Sequence, residues 1–429
     1  MAARHYDATP PPKALSRFLP FAPPLLGEDE LLELKDTLDS GWITRGPRCE
    51  LFESRCKELL NASGTLALSS CTAALHLGLK VLGVGPGDAV LTTPLTFVST
   101  AHAVMYTGAR PVFCDVDPAD GNLSPASVRE LMEKGCRAGA ERLREHKATG
   151  LSVKCLLPVH YGGFPADLAG FREAAGEYGL HILEDAAHAF AAEYGGSPVG
   201  SAALQRPAAP GLNALSAFSF YATKNVACGE GGLLTGPESL IRKAGVLAAY
   251  GITDERKIWG RYAPKGTWAY DVSDLGFKNN FTDLGAALGL AQLRKLPEMQ
   301  SRRRAFAEIW LRTLSDLDGD LVTLPREAEG TVSAWHLFPL RLKLDRLRIG
   351  RGEVAAKLKE LNVGTSVMFQ PVHLFSYYRK ALGHAEGDFP EAEAFFESEI
   401  SLPMSPANPV PLVEEAAESL RRLLISQAR

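Results

Sequence analysis

Residues 214–232 read Ala214-Leu-Ser-Ala-Phe-Ser-Phe-Tyr-Ala-Thr-Lys-Asn-Val-Ala-Cys-Gly-Glu-Gly-Gly232. The first half is an apolar run that suits a buried strand, and it delivers one lysine, Lys224, to a turn. Ser219 lies five residues before the lysine, on the strand face opposite Phe218 and Phe220. Glu230, Gly231 and Gly232 allow tight backbone passage just after it, and Leu233, Leu234 and Thr235 resume an apolar strand. A lone lysine behind a strand is ordinarily a solvated surface group. Held in a desolvated pocket, it loses its proton near neutral pH and attacks a carbonyl, forming a Schiff base. The remaining sequence decides between the two.

Working outward, residues 181–184 read as a strand that ends at Asp185, and residues 153–160 and 164–178 as the strand and helix before it. Strand, helix and strand within about thirty residues make a βαβ unit, hence a parallel sheet. Asp185 then sits at the carboxyl end of a strand, where open α/β sheets bind ligands; its other reading is a helix N-cap. Residues 65–69 form a short buried strand running into a helix that opens with Ser70, Cys71 and Thr72. Small and hydroxyl residues at such a turn leave N–H groups free at the positive end of the helix dipole, the general form of a phosphate site, or serve as an ordinary N-cap. Strands at 89–93 and 111–116 flank a helix at 98–106, and Phe97 follows the first of them. Residues 138–149 read as a charged surface insertion, and 201–213 as a Pro/Ala loop.

Further out, Pro10, Pro11 and Pro12 mark residues 1–20 as an arm. Helices are predicted over 28–38 and 50–60, with a turn-rich loop at 41–47 between them. Residues 240–276 read as irregular. A helix is predicted over 283–296, with a boundary at Pro297 and a second long helix over 302–317. Strand, helix and strand at 332–342, 354–361 and 365–369 then form a smaller α/β domain. This gives an arm at 1–20, a large domain at 21–297 and a small domain at 298–429.

The chain has 429 residues, 46% hydrophobic and 22% charged, in the range of a globular protein. Its 46 basic and 50 acidic residues are well mixed, which argues against a nucleic-acid or membrane-surface partner. No apolar run is long enough to span a bilayer, and the first residues lack the apolar core of a signal peptide. Seven cysteines without a Cys-x-x-Cys pair suit a reducing cytoplasm and no structural metal.

Six stretches together resemble one family. They are Ser-Gly-Trp-Ile-Thr-x-Gly-Pro at 40–47, Ser-Ser-Cys-Thr-Ala-Ala-Leu at 69–75, Glu-Asp-Ala-Ala-His-Ala at 184–189, Phe-Ser-Phe-x-Ala-x-Lys-Asn at 218–225, Gly-Phe-Lys-x-Asn-x-Thr-Asp at 276–283 and Ala-Trp-His-Leu-Phe at 334–338. In this order they resemble the DegT-type sugar aminotransferases, enzymes of pyridoxal 5'-phosphate (PLP) with the aspartate aminotransferase fold (type I). Pro-Val-His-Tyr-Gly-Gly-Phe-Pro-Ala-Asp at 158–167, with the Lys278/Asn280 form of the fifth stretch, looks most like the branch acting on UDP-4-keto-pentose.

The resemblance implies an α/β fold with a large, mostly parallel sheet domain and a smaller C-terminal α/β domain. It implies that Lys224 holds PLP covalently and later moves a proton, and that Asp185 pairs with the pyridine nitrogen. His188 would lie near the cofactor's 3-oxygen, and Phe97 would stack on its ring. Cys71 and Thr72 would bind phosphate through backbone N–H groups, and Ser219 through its hydroxyl. Many family members have glycine where Cys71 stands. Asn280 resembles a residue that a second subunit supplies to the phosphate, with Lys278 the other choice, so the site would be shared across a homodimer. Thr44 and His373 are possible substrate contacts, while Arg261, Lys265, Lys278 and His336 are candidate donors to a diphosphate. The implied reaction carries an amino group from L-glutamate to a nucleotide-linked 4-keto sugar. Rival readings are a ketocyclitol aminotransferase and a non-catalytic PLP-binding regulator; a PLP sugar dehydratase is disfavoured because those relatives lack this lysine.

Overall fold

The computed structural model describes residues 10–139, 144–253 and 271–429. Its central sheet orders the strands Gly64–Leu68, Gly232–Gly236, Ala214–Ser219, His181–Asp185, Leu151–Leu157, Asp88–Thr92 and Arg110–Phe113. Ala214–Ser219 is buried at every position, as its apolar run requires. It pairs in parallel with His181–Asp185 and antiparallel with Gly232–Gly236, so that Ser219 faces Gly232 and Ala217 faces Asp185. The reversal follows from the connection. Ser219 returns to Gly232 through the lysine turn without a crossover helix, and parallel pairing needs such a crossover. Gly64–Leu68 pairs antiparallel with the same returning strand, which brings Leu68 opposite Gly232. The ends of Gly64–Leu68, His181–Asp185 and Ala214–Ser219 therefore meet along one edge of the sheet.

Alternation along Ala214–Ser219 separates two cores. Leu215 and Ala217 pack with Leu75, Leu183 and Leu234 beneath helix Cys71–Val81. Phe218 and Phe220 turn to the other face and pack with Phe52, Phe190 and Phe281. Edge-to-face contacts at 5.2 Å (Phe52–Phe220) and 5.5 Å (Phe190–Phe218) lock that face.

Several elements differ from the sequence reading. The insertion at 138–149 is not only a surface loop: Cys136–Ala138 and Arg144–His146 pair antiparallel, and the second joins the central sheet beside Leu151–Leu157. The region read as irregular opens with helix Glu238–Ala248, whose Ile241, Ala244 and Leu247 are buried. The break at Pro297 is absent, because one helix runs from Asp283 to Thr313 with the proline inside it. Proline removes one backbone hydrogen bond, but Leu290, Leu293 and Leu296 are buried before it and Met299, Phe306 and Trp310 after it. Burial on both sides outweighs the lost bond, and a division of the chain at 297 crosses a continuous helix.

Toward the C-terminus, Val322–Thr323, Phe338–Leu342 and Glu399–Leu402 form a second, antiparallel sheet. Residues 365–369, expected as a strand after the helix at 354–361, are not part of it. That segment meets the sheet's backbone at one bridge, Ser366 to Ser401, and then leaves to line a cavity. Helix Val410–Ser426 and the end of Asp283–Thr313 cover this sheet, with Trp310, Phe338, Leu420 and Leu424 at its core. Leu15 and Leu19 of the arm are buried in the same core. Among the described residues no helix is long and apolar enough to cross a membrane.

Candidate active site

A cavity of about 520 Å³ opens where the three strand ends meet. Cys71, Thr72, Phe97, Asp185, His188, Ser219 and Lys224, named above from the sequence, line it together. The turn that places Lys224 is closed by its N–H donating to Tyr221 O at 2.9 Å, while Cys228 N–H donates back to Phe220 O. The Lys224 side chain is half-buried at the cavity wall. Desolvation there brings its pKa down to about 8, against the smaller opposing influence of Cys71 and Asp185.

Asp185 is buried, and no helix follows it, which removes the N-cap reading. Oδ2 accepts from Thr100 Oγ1 at 2.7 Å, and Oδ1 from the Ala187 N–H at 3.1 Å. Burial pushes its carboxyl up; these two hydrogen bonds and the positive field of Lys224 oppose the rise. Thr100 is itself held by Thr96, whose Oγ1 lies at 2.7 Å.

At the start of helix Cys71–Val81, Ser70 Oγ accepts from the Ala73 N–H at 3.1 Å. The capping reading therefore holds, and it leaves the phosphate reading open. Helix geometry gives the N–H groups of Cys71 and Thr72 no intrahelical partner, so they remain at the cavity. Gly232 backs this turn closely, since a Cβ on it would lie 2.3 Å from the Ser70 carbonyl carbon and 2.4 Å from Cys71 N.

A desolvated lysine at the wall, a buried carboxylate and an anion cradle on one cavity narrow the chemistry. Over residues 24–420 the sequence matches the profile of the DegT/DnrJ/EryC1/StrS aminotransferase family. The chain belongs to that family. It is 39% identical over 411 residues to the spore coat polysaccharide biosynthesis protein SpsC of Bacillus subtilis, covering 95% of this chain and 98% of the relative. Among solved structures it is similar to the aminotransferase TlmJ from Streptoalloteichus hindustanus (32% identity, TM-score 0.77, 94% and 98% of the two chains covered). It is also similar to the putative sugar aminotransferase Spr1654 from Streptococcus pneumoniae in its PLP form (27% identity, TM-score 0.81, 95% and 99% covered).

In this aminotransferase, His188 Nδ1 accepts from the Gly162 N–H at 3.2 Å, so the neutral ring carries its proton on Nε2. Burial, with Lys224 nearby, holds its pKa well below the ordinary histidine value. His336, 4.4 Å away ring to ring, also lines the cavity. Its Nδ1 contacts Asn225 Oδ1 at 3.2 Å, while Asn225 Nδ2 donates to Ala334 O at 2.7 Å. Asn225 Oδ1 is thus the acceptor and His336 Nδ1 the donor. Burial again lowers the His336 pKa far below normal, with His188 next in effect.

Other expected residues lie elsewhere. Asn280 does not line this chain's cavity. It bridges to Leu68 beside the cradle, and its Nδ2 donates to Phe281 O at 3.1 Å. Lys278 bridges to Ala249 and sets its ammonium 5.3 Å from the centre of the Tyr250 ring. Thr44 is exposed and does not line the cavity; its carbonyl accepts from the Asp283 N–H at 2.8 Å. The Asp283 carboxylate accepts from Gly46 N (2.8 Å), Cys49 N (3.0 Å) and Arg48 N (3.2 Å), which joins the first and fifth motif stretches. His373 is fully buried in contact with Glu393 Oε1 at 2.9 Å and does not line the cavity either. Arg261 and Lys265 lie outside the described residues.

Sequence reasoning missed Thr96, Thr100, Met368 and Phe369. The only sequence signal for the threonines is their i, i+4 spacing across the start of helix Val98–Tyr106. Nothing local marks Met368 or Phe369.

Proposed function

We propose that this chain is a PLP-dependent aminotransferase that carries an amino group from L-glutamate to a nucleotide-linked 4-keto sugar, best a UDP- or dTDP-linked 4-keto-pentose or deoxysugar. The observation that carries the reading is the convergence of Lys224, Asp185, His188 and the start of helix Cys71–Val81 on one cavity. The residues fit the cofactor. Both hydrogen-bond partners of the buried Asp185 carboxylate, Thr100 and Ala187, are neutral, so a protonated pyridine nitrogen would add, to the more distant field of Lys224, the bonded cation that they do not supply. Gly232 leaves no Cβ in the backbone passage behind the cradle.

When bound, PLP supplies an electron sink for the carbon that exchanges its amino group. Lys224 would anchor the cofactor and, as a free amine, would move the proton on and off the substrate carbon; a pKa of about 8 suits it to both directions. Asp185 holds the pyridine nitrogen protonated, and Thr100 and Thr96 hold Asp185. His188, with Nδ1 occupied, presents Nε2–H to the cofactor's 3-oxygen. Cys71 and Thr72 N–H groups and the Ser219 hydroxyl bind phosphate. Phe97 stacks on the ring. Thr44 and His373 are the remaining substrate-binding proposals.

A homodimer with shared sites accompanies this reading. Asn280 stands at the sheet edge beside the cradle without entering its own cavity. Leu31 (67% exposed), Leu38 (61%) and Ile43 (53%), on helix Glu28–Ser40 and the following loop, leave apolar surface that a second copy would cover.

The sugar acceptor is supported by the stretch at 158–167, the Lys278/Asn280 pattern and the polysaccharide role in the name of the Bacillus subtilis relative. The test is kcat/KM with glutamate for UDP-4-keto-pentose, UDP- and dTDP-4-keto-6-deoxyhexose and keto-inositol. A preference for keto-inositol would overturn the nucleotide-sugar reading. A preference for a hexose would overturn the pentose choice alone.

A further inference from the structure

One wall of the Lys224 cavity is the segment carrying Met368 and Phe369. The Phe369 ring lies 5.7 Å from His188, inclined by only 24°, and 5.8 Å from Phe97. Its position thus limits the space beside both rings. Segment 365–369 belongs to neither sheet, so its backbone must find other partners. Residue 366 exchanges backbone hydrogen bonds with Ser401 at 3.2 and 2.8 Å. Met368 is held differently, by two side chains. Its N–H donates to Glu399 Oε2 at 2.8 Å, and its carbonyl accepts from Tyr161 Oη.

The two side chains come from different sheets. Glu399 begins strand Glu399–Leu402 of the C-terminal sheet. Tyr161 begins the turn Tyr161–Gly163, which follows strand Leu151–Leu157 of the central sheet. Both are buried, at 0% and 1% exposure. The second Glu399 oxygen is engaged by Ser401 Oγ. A carboxyl group in so dry a place is costly unless it is hydrogen-bonded at both oxygens or neutral, and this one carries a pKa raised to about 8 by burial. Holding up a strand needs no such group. Satisfying one backbone N–H at a cavity wall, where no neighbouring strand can reach, does.

We infer that Glu399 and Tyr161 are positioning residues that grip the two ends of the Met368 backbone from the two sheets and so set Phe369 against His188, fixing the cavity's width for the acceptor. The inference deepens the proposed function and rests on the Lys224 cavity being the active site. Amide exchange reads the grip directly, without substrate. Discrimination between acceptors reads its consequence. A loosened wall admits bulk that a fixed wall rejects by clash, whereas general damage lowers all acceptors alike.

The experiment compares wild type, Glu399→Ala, Glu399→Gln and Tyr161→Phe as holoenzymes. Hydrogen exchange of the peptide containing Met368 is measured first, then kcat/KM for two 4-keto acceptors that differ by one exocyclic carbon. Glu399→Ala should expose the Met368 amide and narrow the ratio between the two acceptors by about tenfold, the worth of one such group. Tyr161→Phe should narrow it in the same direction by less, since it frees the carbonyl end alone. Glu399→Gln should keep both near wild type, because its amide oxygen still accepts from Met368 N–H and its NH2 group faces Ser401 Oγ. The amination of the cofactor by glutamate is followed in all four as a control. If wild type fails that control, the functional reading falls. If it passes, an unchanged acceptor ratio in Glu399→Ala, or a Glu399→Gln as impaired as Glu399→Ala, overturns the grip. Should Glu399→Ala not fold, an unchanged ratio in Tyr161→Phe overturns it instead.

Discussion

Replacing Gly232 with alanine tests how the fold builds the anion cradle. The added Cβ would sit 2.3 Å from the Ser70 carbonyl carbon and 2.4 Å from both Ser70 O and Cys71 N. Carbon atoms are at rest at about 3.5 Å or more, so roughly 1 Å of clearance has to be found. Every one of the three neighbours is backbone, so no side chain can rotate aside. Gly232 cannot retreat freely either, because it pairs with Leu68 on one side and Ser219 on the other. The first turn of helix Cys71–Val81 is what yields. Overpacking of this kind costs about 1–3 kcal/mol. Expressed in ligand affinity, this is a loss of about fivefold to a hundredfold, each ~1.4 kcal/mol being tenfold. The assay is a titration of apo-protein by absorbance with PLP and, in parallel, with pyridoxal, which lacks the phosphate. PLP affinity should fall by that factor and pyridoxal affinity by much less. Equal losses for both ligands, or an alanine variant with wild-type PLP affinity, would refute the reasoning that Gly232 shapes a phosphate cradle.

Three further outcomes follow from the same geometry. Asp185→Asn should still bind PLP but lose turnover by several kcal/mol of barrier, thus a hundredfold or more at ~1.4 kcal/mol per tenfold; near-normal steady-state rates would remove the pyridine role. Glu399 has its pKa raised to about 8 in the fold against an ordinary 4.5. The native state therefore keeps a proton that the unfolded chain releases between those values, and stability falls as pH rises across that window, at most by ~1.4 kcal/mol per unit and roughly 5 kcal/mol in all. Urea midpoints measured at pH 5, 6.5 and 8 should show a smaller decline in Glu399→Gln; parallel declines in the two proteins would contradict this. Finally, mixing inactive Lys224→Ala with a variant disabled at Lys278 and Asn280 should restore activity, since one hybrid site then has every part; no recovery after verified subunit exchange would count against a shared site.

Much of the site was legible because its signals are local. The apolar run before Lys224, the opposite facing of Ser219 and the two phenylalanines, and the strand that ends at Asp185 all follow from side-chain alternation and burial. The small residues at 70–72 announce a helix start; the structure shows the cap, and helix geometry leaves the first N–H groups without an intrahelical partner. What failed to show locally depends on partners distant in the chain. Pro297 signals a stop, but the apolar faces on both sides of it find their cores only in the folded protein. Residues 365–369 look like a strand, yet Met368 bonds to Glu399 and Tyr161 rather than to a neighbouring strand, and the third small-sheet strand is Glu399–Leu402. Thr100 reads as an indifferent helix residue until Asp185 is placed beside it. His188, Phe97 and Asn280 acquired roles from family resemblance and not from any local pattern. The same resemblance pointed to Thr44 and His373, which the fold keeps away from their own chain's cavity.

The central claim is that Lys224 is the residue that holds the cofactor. Borohydride reduction of the PLP-loaded protein, followed by peptide mapping, tests it most directly. The account predicts a pyridoxyl group on the peptide carrying Lys224, and no fixed label in Lys224→Ala. A pyridoxyl group on any other lysine of the wild-type protein would contradict it.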